Sequence, residues 1–579
     1  MLNFQSLRKL QKTIPDDLLT VKVALMGDCA TQLLAIAVRG YGVKEGYAID
    51  LFDADYNQIK MMAMDPQSEV YEHHPEYIII QMCVEKLFER FCETPLQERE
   101  SFADTVLTEI ETVWRQISQY SKSKVLQFDF VELYDNIFGS YGFKVESSFS
   151  YQLRKLNFLL IQTALKYAHV FLLPLSEIQN KLGRTQFFDE KYYYSAKVPI
   201  SLEALPHAAK LVIDAIIAQK GKIKKCVVLD LDNTLWGGVI GDDGLSGIQI
   251  GELGAGHAFS DFQLWLRELK NRGIVLTVCS KNNEDTAKEP FEKHPEMILR
   301  LDDISMFVAN WDDKASNIRN IQKTLNLGMD SFIFLDDNPF ERNMVRSLIP
   351  EITVPELPED PAQYLSYLQD LNLFETASFS EEDQNRTKQY RAEISRMSLQ
   401  QQFNTVDEYL ESLEMVAEAR EFDSFHTPRI AQLTQRSNQF NLRTIRYTED
   451  DISRIANDEH YITIYFTLKD KFGDHGLISV VILEKMDRET LFVDTWLMSC
   501  RVLKRGMEEF IVNTIIDKAR RGGYNKIIGE YIKTPKNVMV EHLYAKMGFV
   551  EAGSNRYEIS VDDYVVKKTF IREEQNESR

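Results

Sequence analysis

At roughly 100 to 200 residues per domain, a chain of 579 residues predicts about three to five domains, each with its own core, and excludes a single fold. With 44% hydrophobic, 27% charged and 11% aromatic residues it is neither disordered nor fibrous nor a small disulfide scaffold. The formal charge of −21, from 67 Lys and Arg against 88 Asp and Glu, opposes a general nucleic-acid or anionic-membrane surface, so any phosphate site must be local.

The start, MLNFQSLRKL, lacks the apolar run of a leader, and the cysteines at 29, 83, 92, 226, 279 and 500 form no CxxC. Both features predict a reduced, cytoplasmic protein. Over the first 355 residues, apolar runs ending in Gly or Asp alternate with amphipathic stretches, the pattern of parallel sheets with crossover helices. The clearest strands are 21–28, 77–81, 225–232, 274–280 and 331–337. None is long enough to span a membrane. Periodicity fails near 180–205 and again in the Pro-rich, acidic stretch 349–363. A polar helix follows, capped by Ser380 with Asp383 at its third position, and reads as a spacer. From about 421 the strands ITIYFTL, HGLISVVILEK and TLFVDTWLMS predict an antiparallel sheet, then a helix, a short strand and a hairpin-like tail. The fold class is therefore α/β followed by α+β.

The chemistry concentrates in CVVLDLDNTLWGG (226–238). Asp230 and Asp232 follow a continuous apolar strand, and alternation places both carboxylates on one side of it. At the carboxyl edge of a parallel sheet such a pair can hold a hard cation and divide phosphoryl chemistry, Asp230 attacking phosphorus and Asp232 protonating the departing oxygen. A merely solvated strand end has the same pattern. Three later elements add to it: Ser280 at a strand end with Lys281 and Asn282 beside it, Lys314 in NWDDKASNI, and Asp336–Asp337 closing another apolar strand. They offer, in turn, a phosphate cradle, a fixed positive charge and further acidic ligands.

Together DLDNTLWGG, Ser280, Lys314 and LDDNP resemble the four motifs of the haloacid dehalogenase (HAD) superfamily of Mg-dependent phosphotransferases. The longer strings over about 220–360 resemble the FkbH-like family within it. That resemblance implies a HAD Rossmann-like core with Mg2+ at Asp230, Asp232, Asp336 and Asp337. It also implies an enzyme that takes the glyceryl group of 1,3-bisphosphoglycerate, removes its remaining phosphate and delivers it as a thioester to an acyl carrier protein, as in polyketide-type biosynthesis. Residues 1–200 resemble the family's flavodoxin-like, SGNH-hydrolase-like domain, with Cys29 of GDCAT where such hydrolases carry serine and no DxxH downstream. The C-terminal part resembles a GNAT-like acyltransferase through 432–443, 498–508 and 543–549, although Arg501-x-x-Lys504-x-Gly506 lacks the middle glycine of the acyl-CoA loop. The expected organisation is an SGNH-like domain at 1–205, the HAD domain at 206–365, a helical linker at 366–420 and a GNAT-like domain at 421–579.

Cys279, beside the motif serine, is either the carrier of an enzyme-bound glyceryl thioester or a buried core thiol, since strand neighbours point to opposite faces. Cys226 and Cys29 are expected to pack, and Cys500 has no assigned role. Trp236 covers substrate or packs, the glycines at 237 and 238 permit a sharp turn, and Asn310 and Asn338 stabilise loops. Arg342 holds substrate or a helix-surface ion pair. Two other functional classes share these residues: a phosphatase of a free phosphometabolite, and a carrier-binding scaffold.

Overall fold

The computed structural model describes residues 2–379, 386–400, 403, 405–499, 502–553 and 555–574. The chain forms two compact units, Met1–Ile217 and Ala218–Arg579. Among the described residues no helix is long and apolar enough to cross a membrane.

In the first unit, β1 (Leu19–Gly27), β2 (Tyr47–Asp53), β3 (Tyr77–Gln81), β4 (Lys124–Phe128) and β5 (Val170–Leu173) form a parallel sheet in the order β2-β1-β3-β4-β5. All five residues of β3 are buried, as a run covered by helices on both faces requires. The chain moves from β1 outward to β2, then crosses back to β3. The carboxyl ends of β1 and β3 therefore flank the point where strand order reverses.

The second unit begins with a parallel sheet in the order β8-β7-β6-β9, made of β6 (Cys226–Leu229), β7 (Val275–Ser280), β8 (Ile304–Ala309) and β9 (Phe332–Leu335). Alternation splits its side chains into two apolar layers. Val227, Leu229, Leu276 and Val278 meet Phe262 and Leu266 of the helix Gly254–Asn271. Cys226, Val228, Val275 and Cys279 meet Ile318 and Ile321 of the helix Lys314–Leu325. Strand β6 stops at Leu229, before the sequence pattern suggests, and the chain then turns over 231–235, where Thr234 N and Leu235 N both donate to Leu231 O and Asn233 has φ 56°.

A mixed sheet follows in the order β15-β16-β14-β13-β12-β11-β10-β17. Its strands are β10 (Val416–Arg420), β11 (Tyr461–Asp470), β12 (Gly473–Lys485), β13 (Thr490–Met498), β14 (Lys526–Glu530), β15 (Val550–Glu551), β16 (Arg556–Ser560) and β17 (Arg572–Glu573). β10 to β13 are antiparallel, whereas β13 and β14 run parallel. β10 lies in the stretch read from sequence as linker, where VAEAR alternates over five residues only and offers no large apolar side chain beyond Val416.

The helix Arg386–Gln400 packs against its neighbours where a spacer was expected; Ser380 and Asp383, its expected cap, lie outside the described residues. Tyr390 enters the layer of Cys226, Cys279 and Ile318. Arg396 forks onto Asp470 at 2.6 and 2.7 Å, and His475 Nε2 lies 3.1 Å from the same carboxylate and 2.9 Å from Arg505 Nη1. All four side chains are buried. Burial, helped by the charges of Arg505 and Arg396 and opposed by Asp470, pushes His475 from 6.5 down to about 4. Between those two values the unfolded chain takes up a proton that the folded chain refuses, so stability falls as pH drops through the window. The expected loss is about 3 kcal/mol at 1.36 kcal/mol per pH unit, and His475→Gln is expected to flatten it in urea unfolding curves taken across this range.

Candidate active site

The carboxyl edges of β6, β7 and β9 carry the motif residues. Asp230 extends the ladder by one bond, its N–H donating to Leu335 O at 2.9 Å. Across from it, Asp313 caps the helix Lys314–Leu325 by accepting from Ser316 N at 2.8 Å, which makes Lys314 the first helical residue. Lys314 Nζ lies 3.0 Å from Asp230 Oδ1 and 2.6 Å from Asp336 Oδ2. Burial works against its charge, but the two carboxylates overcome it and hold the ammonium well above the ordinary lysine range. Burial and then the neighbouring Asp230 push Asp336 up to about 7, against the pull of Lys314. Asp337 is raised by the same two causes.

Asp230, Asp336 and Asp337 each place an oxygen within 4.8 Å of the others. Three carboxylates facing one lysine leave an excess of negative charge in a mostly buried site. The donor set is oxygen only, and Asp230 Oδ1, though close to Lys314, accepts no directed hydrogen bond. Such a set fits a hard divalent cation. Two backbone anchors shape it: Thr234 Oγ1 accepts from Asp337 N at 3.1 Å, and Arg342 Nη1 donates to the carbonyls of Asp336 and Asp337 at 2.8 and 2.6 Å. Arg342 also pairs with Glu356 through Nε at 3.0 Å, so its fork fixes the loop after β9. Sequence patterns do not reveal a carbonyl acceptor; for Thr234 the only signal was a hydroxyl close behind Asp232.

Asp232 stands apart from the three-carboxylate group. Trp236 Nε1 and Ile240 N donate to its Oδ1 at 3.0 and 2.9 Å, and Asn282 Nδ2 donates to Oδ2 at 2.8 Å. These donors hold a side chain that is not one of the three carboxylates lying within 4.8 Å of one another, so the ligand position expected for it is not part of that group, while burial raises its pKa above the ordinary carboxylate value. The loop can fold back because Gly238 adopts φ 92°, with Asn233 Oδ1 accepting from its N–H at 2.9 Å. A Cβ at Gly238 would come within 2.6 Å of Asp243 Oδ2. Trp236 is fully buried edge-on against Phe291.

Of the expected phosphate-binding residues, Ser280 and Lys314 lie at the edge, buried. Lys281 is engaged with Glu341 at 2.7 Å and Asn282 with Asp232. Asn310 pairs with Asn317, and Asn338 caps the helix Pro339–Leu348. In place of the acyl-carrying thiolate expected at Cys279, the structure has a thiol in the apolar layer with Ala315 and Ile318, its Sγ 3.8 Å from Lys314 O. Burial pushes it up to about 12, and side-chain alternation along β7 sends it to the face opposite Ser280. In the C-terminal part, Cys500 and Arg501 lie outside the described residues. Lys504 and Gly506 have φ 62° and 75° ahead of the helix Met507–Arg521, so Lys504 adopts a left-handed conformation that suits glycine better.

The family model of the FkbH N-terminal domain matches residues 22–217. Among solved structures, the N-terminal part of the Bacteroides fragilis protein BF1531, which contains a phosphatase domain and is complexed with Mg, is 50% identical, covers 66% of this chain and 100% of its own, and superposes with a TM-score of 0.63. Two acetyltransferases also match part of the chain. The spermidine/spermine N-acetyltransferase SpeG of Vibrio cholerae is 17% identical, covering 26% of this chain and 96% of its own at a TM-score of 0.21. The ribosomal-protein-S18-alanine N-acetyltransferase of Escherichia coli is 13% identical, covering 25% and 94% at 0.21. A comparison with curated proteins finds no match.

Proposed function

This chain belongs to the FkbH-like family, and from that membership and the geometry of the site we propose a HAD-type phosphatase that dephosphorylates the glyceryl unit of 1,3-bisphosphoglycerate and loads it as a thioester on an acyl carrier protein. The observation that carries the phosphatase reading is the setting of Asp230. Its side chain keeps 10% exposure at the sheet edge while Asp336, bound to the same lysine, has none, so Asp230 is the more reachable of the two carboxylates.

An Asp230 oxygen attacks phosphorus, the bond from phosphorus to the glyceryl oxygen breaks, and Asp232 supplies the proton that oxygen needs. Asp232 Oδ2 is the atom to carry the proton, because it accepts one hydrogen bond where Oδ1 accepts two. The same carboxylate then takes a proton from the water that releases phosphate from Asp230. Lys314 and Ser280 hold the phosphoryl oxygens. Mg2+, held by Asp230, Asp336 and Asp337, supplies charge neutralisation between nucleophile and phosphoryl group.

For acyl transfer, the phosphopantetheine sulfur of the carrier attacks the carboxyl carbon of the acyl phosphate directly. The bond from carbon to the phosphate oxygen breaks, phosphate departs and the thiol proton passes to solvent. The burial of Cys279 supports this route over an enzyme thioester. Incubating the full chain with 1,3-bisphosphoglycerate, Mg2+ and holo-carrier is expected to yield glyceryl-carrier, with undiminished yield from Cys279→Ala. If Cys279→Ala stops transfer while phosphate release continues, the thiol carries the acyl group after all. If the carrier is never acylated while free phosphometabolites are hydrolysed, the phosphatase acts without a carrier.

A further inference from the structure

Asp28, Cys29 and Cys83 form a second cluster of ligand-bearing side chains, confined to the first unit. All three are buried or nearly so, and one carboxylate oxygen and the two Sγ atoms lie within 4.8 Å of one another. The residues are distant in sequence and meet because β1 pairs with β3, Gly27 opposite Gln81. Asp28 N donates to Gln81 O at 3.2 Å, and Cys83 N donates to Asp28 Oδ1 at 2.9 Å. One carboxylate oxygen is thereby anchored by a backbone amide, which orients the other as an outer hydrogen bond orients a metal ligand.

Cys83 is the N-cap of the helix Val84–Glu93, yet its side chain makes no capping bond. The cluster stands where strand order reverses, the position at which open parallel sheets take ligands. A cavity of about 500 Å³ opens there, lined by Asp28 together with Lys60, Met82, Lys86 and Gln127.

We propose that Asp28, Cys29 and Cys83 bind a thiophilic divalent cation, zinc, with the remaining coordination position served from the cavity. Two sulfur donors select a soft or borderline ion over magnesium, and two thiolates with one carboxylate leave one vacancy of a tetrahedral shell. Water completes it, since the cavity lining carries Lys60, Lys86 and Arg90 against Glu89, Glu93 and Glu109 and so favours no anion. A serine-type hydrolase at this position lacks its nucleophile, since residue 29 is cysteine. This site is independent of the phosphatase reading.

The test uses the reduced, metal-stripped full chain and cobalt(II) as a spectroscopic substitute for zinc. Addition of cobalt is expected to produce a thiolate-to-metal charge-transfer absorption that saturates at one ion per chain and is bleached by zinc. The oxygen-only group around Asp230 cannot produce that absorption. Cys29→Ser and Cys83→Ser are expected to abolish it, Asp28→Asn to weaken cobalt binding at least tenfold, and Cys92→Ser, at an exposed cysteine, to leave it intact. Because the serine variants can fail to fold, anomalous scattering at the zinc edge from zinc-soaked wild-type crystals gives a second reading, with a peak expected between Cys29 and Cys83. No charge-transfer absorption, one that survives in both serine variants, or no anomalous peak at the pair would each overturn the proposal. So would a Cys29–Cys83 disulfide as the sole product of the pair.

Discussion

Asp230→Asn is expected to leave a folded chain that releases phosphate from a phosphoglyceryl substrate at least ~10³-fold more slowly, since the amide has the shape of the carboxylate but does not attack phosphorus. Stability separates this from a folding defect. Asp230 is one of three crowded carboxylates and, after burial, the main reason that Asp336 and Asp337 hold their protons too tightly. Removing its charge lowers both pKa values and relieves repulsion, so the metal-free variant is expected to unfold in urea no earlier than the wild type. A variant that lost activity together with several kcal/mol of stability would point to a structural role for Asp230.

Lys314→Met is expected to do the reverse and damage both properties. The ammonium sits within 3.0 Å of Asp230 and 2.6 Å of Asp336, and its removal leaves two buried carboxylates facing each other, at a cost of about 3–5 kcal/mol for breaking a buried pair from one side. Loss of a fixed charge on the phosphoryl oxygens is expected to lower turnover by ~10²–10³-fold. The pH dependence has a definite sign. Asp336 titrates near 7 in the folded chain against 3.8 when unfolded, so between these values the native state holds a proton that the unfolded state has given up. Metal-free stability therefore falls as pH rises through that window. Without Lys314 the folded pKa rises further, and the fall extends above neutral pH. Urea midpoints taken with and without Mg2+ on either side of pH 7 check this, with Mg2+ expected to restore most stability on the alkaline side.

The positions of Asp230, Ser280, Lys314, Asp336 and Asp337 were legible in the sequence because each stands at the end of an apolar strand or the start of a helix, where local pattern and chemistry coincide. Asp232 was legible as a residue and not as a geometry. Alternation put it beside Asp230, but β6 ends at Leu229 and the chain turns from Leu231 on, Leu235 N donating to Leu231 O at 2.8 Å. Cys279 shows the opposite case: β7 continues through Ser280, and simple alternation gave its direction, opposite to Ser280, where the family resemblance pointed to an enzyme-bound glyceryl thioester. The packing of Arg386–Gln400 was illegible because its anchors are long-range, Tyr390 into the sheet layer and Arg396 onto Asp470. The Asp28, Cys29 and Cys83 cluster was illegible for the same reason, since only the pairing of β1 with β3 joins it.

The most direct test of phosphoryl transfer at Asp230 is to trap the intermediate. Full chain turning over a phosphoglyceryl substrate with Mg2+ is quenched in acid and reduced with borohydride, which converts an acyl phosphate to an alcohol. Peptide mass analysis is then expected to find the side chain of Asp230 reduced to that of homoserine, only in samples that received substrate. Reduction at a different carboxylate, or none at Asp230 under quench conditions that preserve acyl phosphates while phosphate is still released, would contradict the assignment of Asp230 as nucleophile.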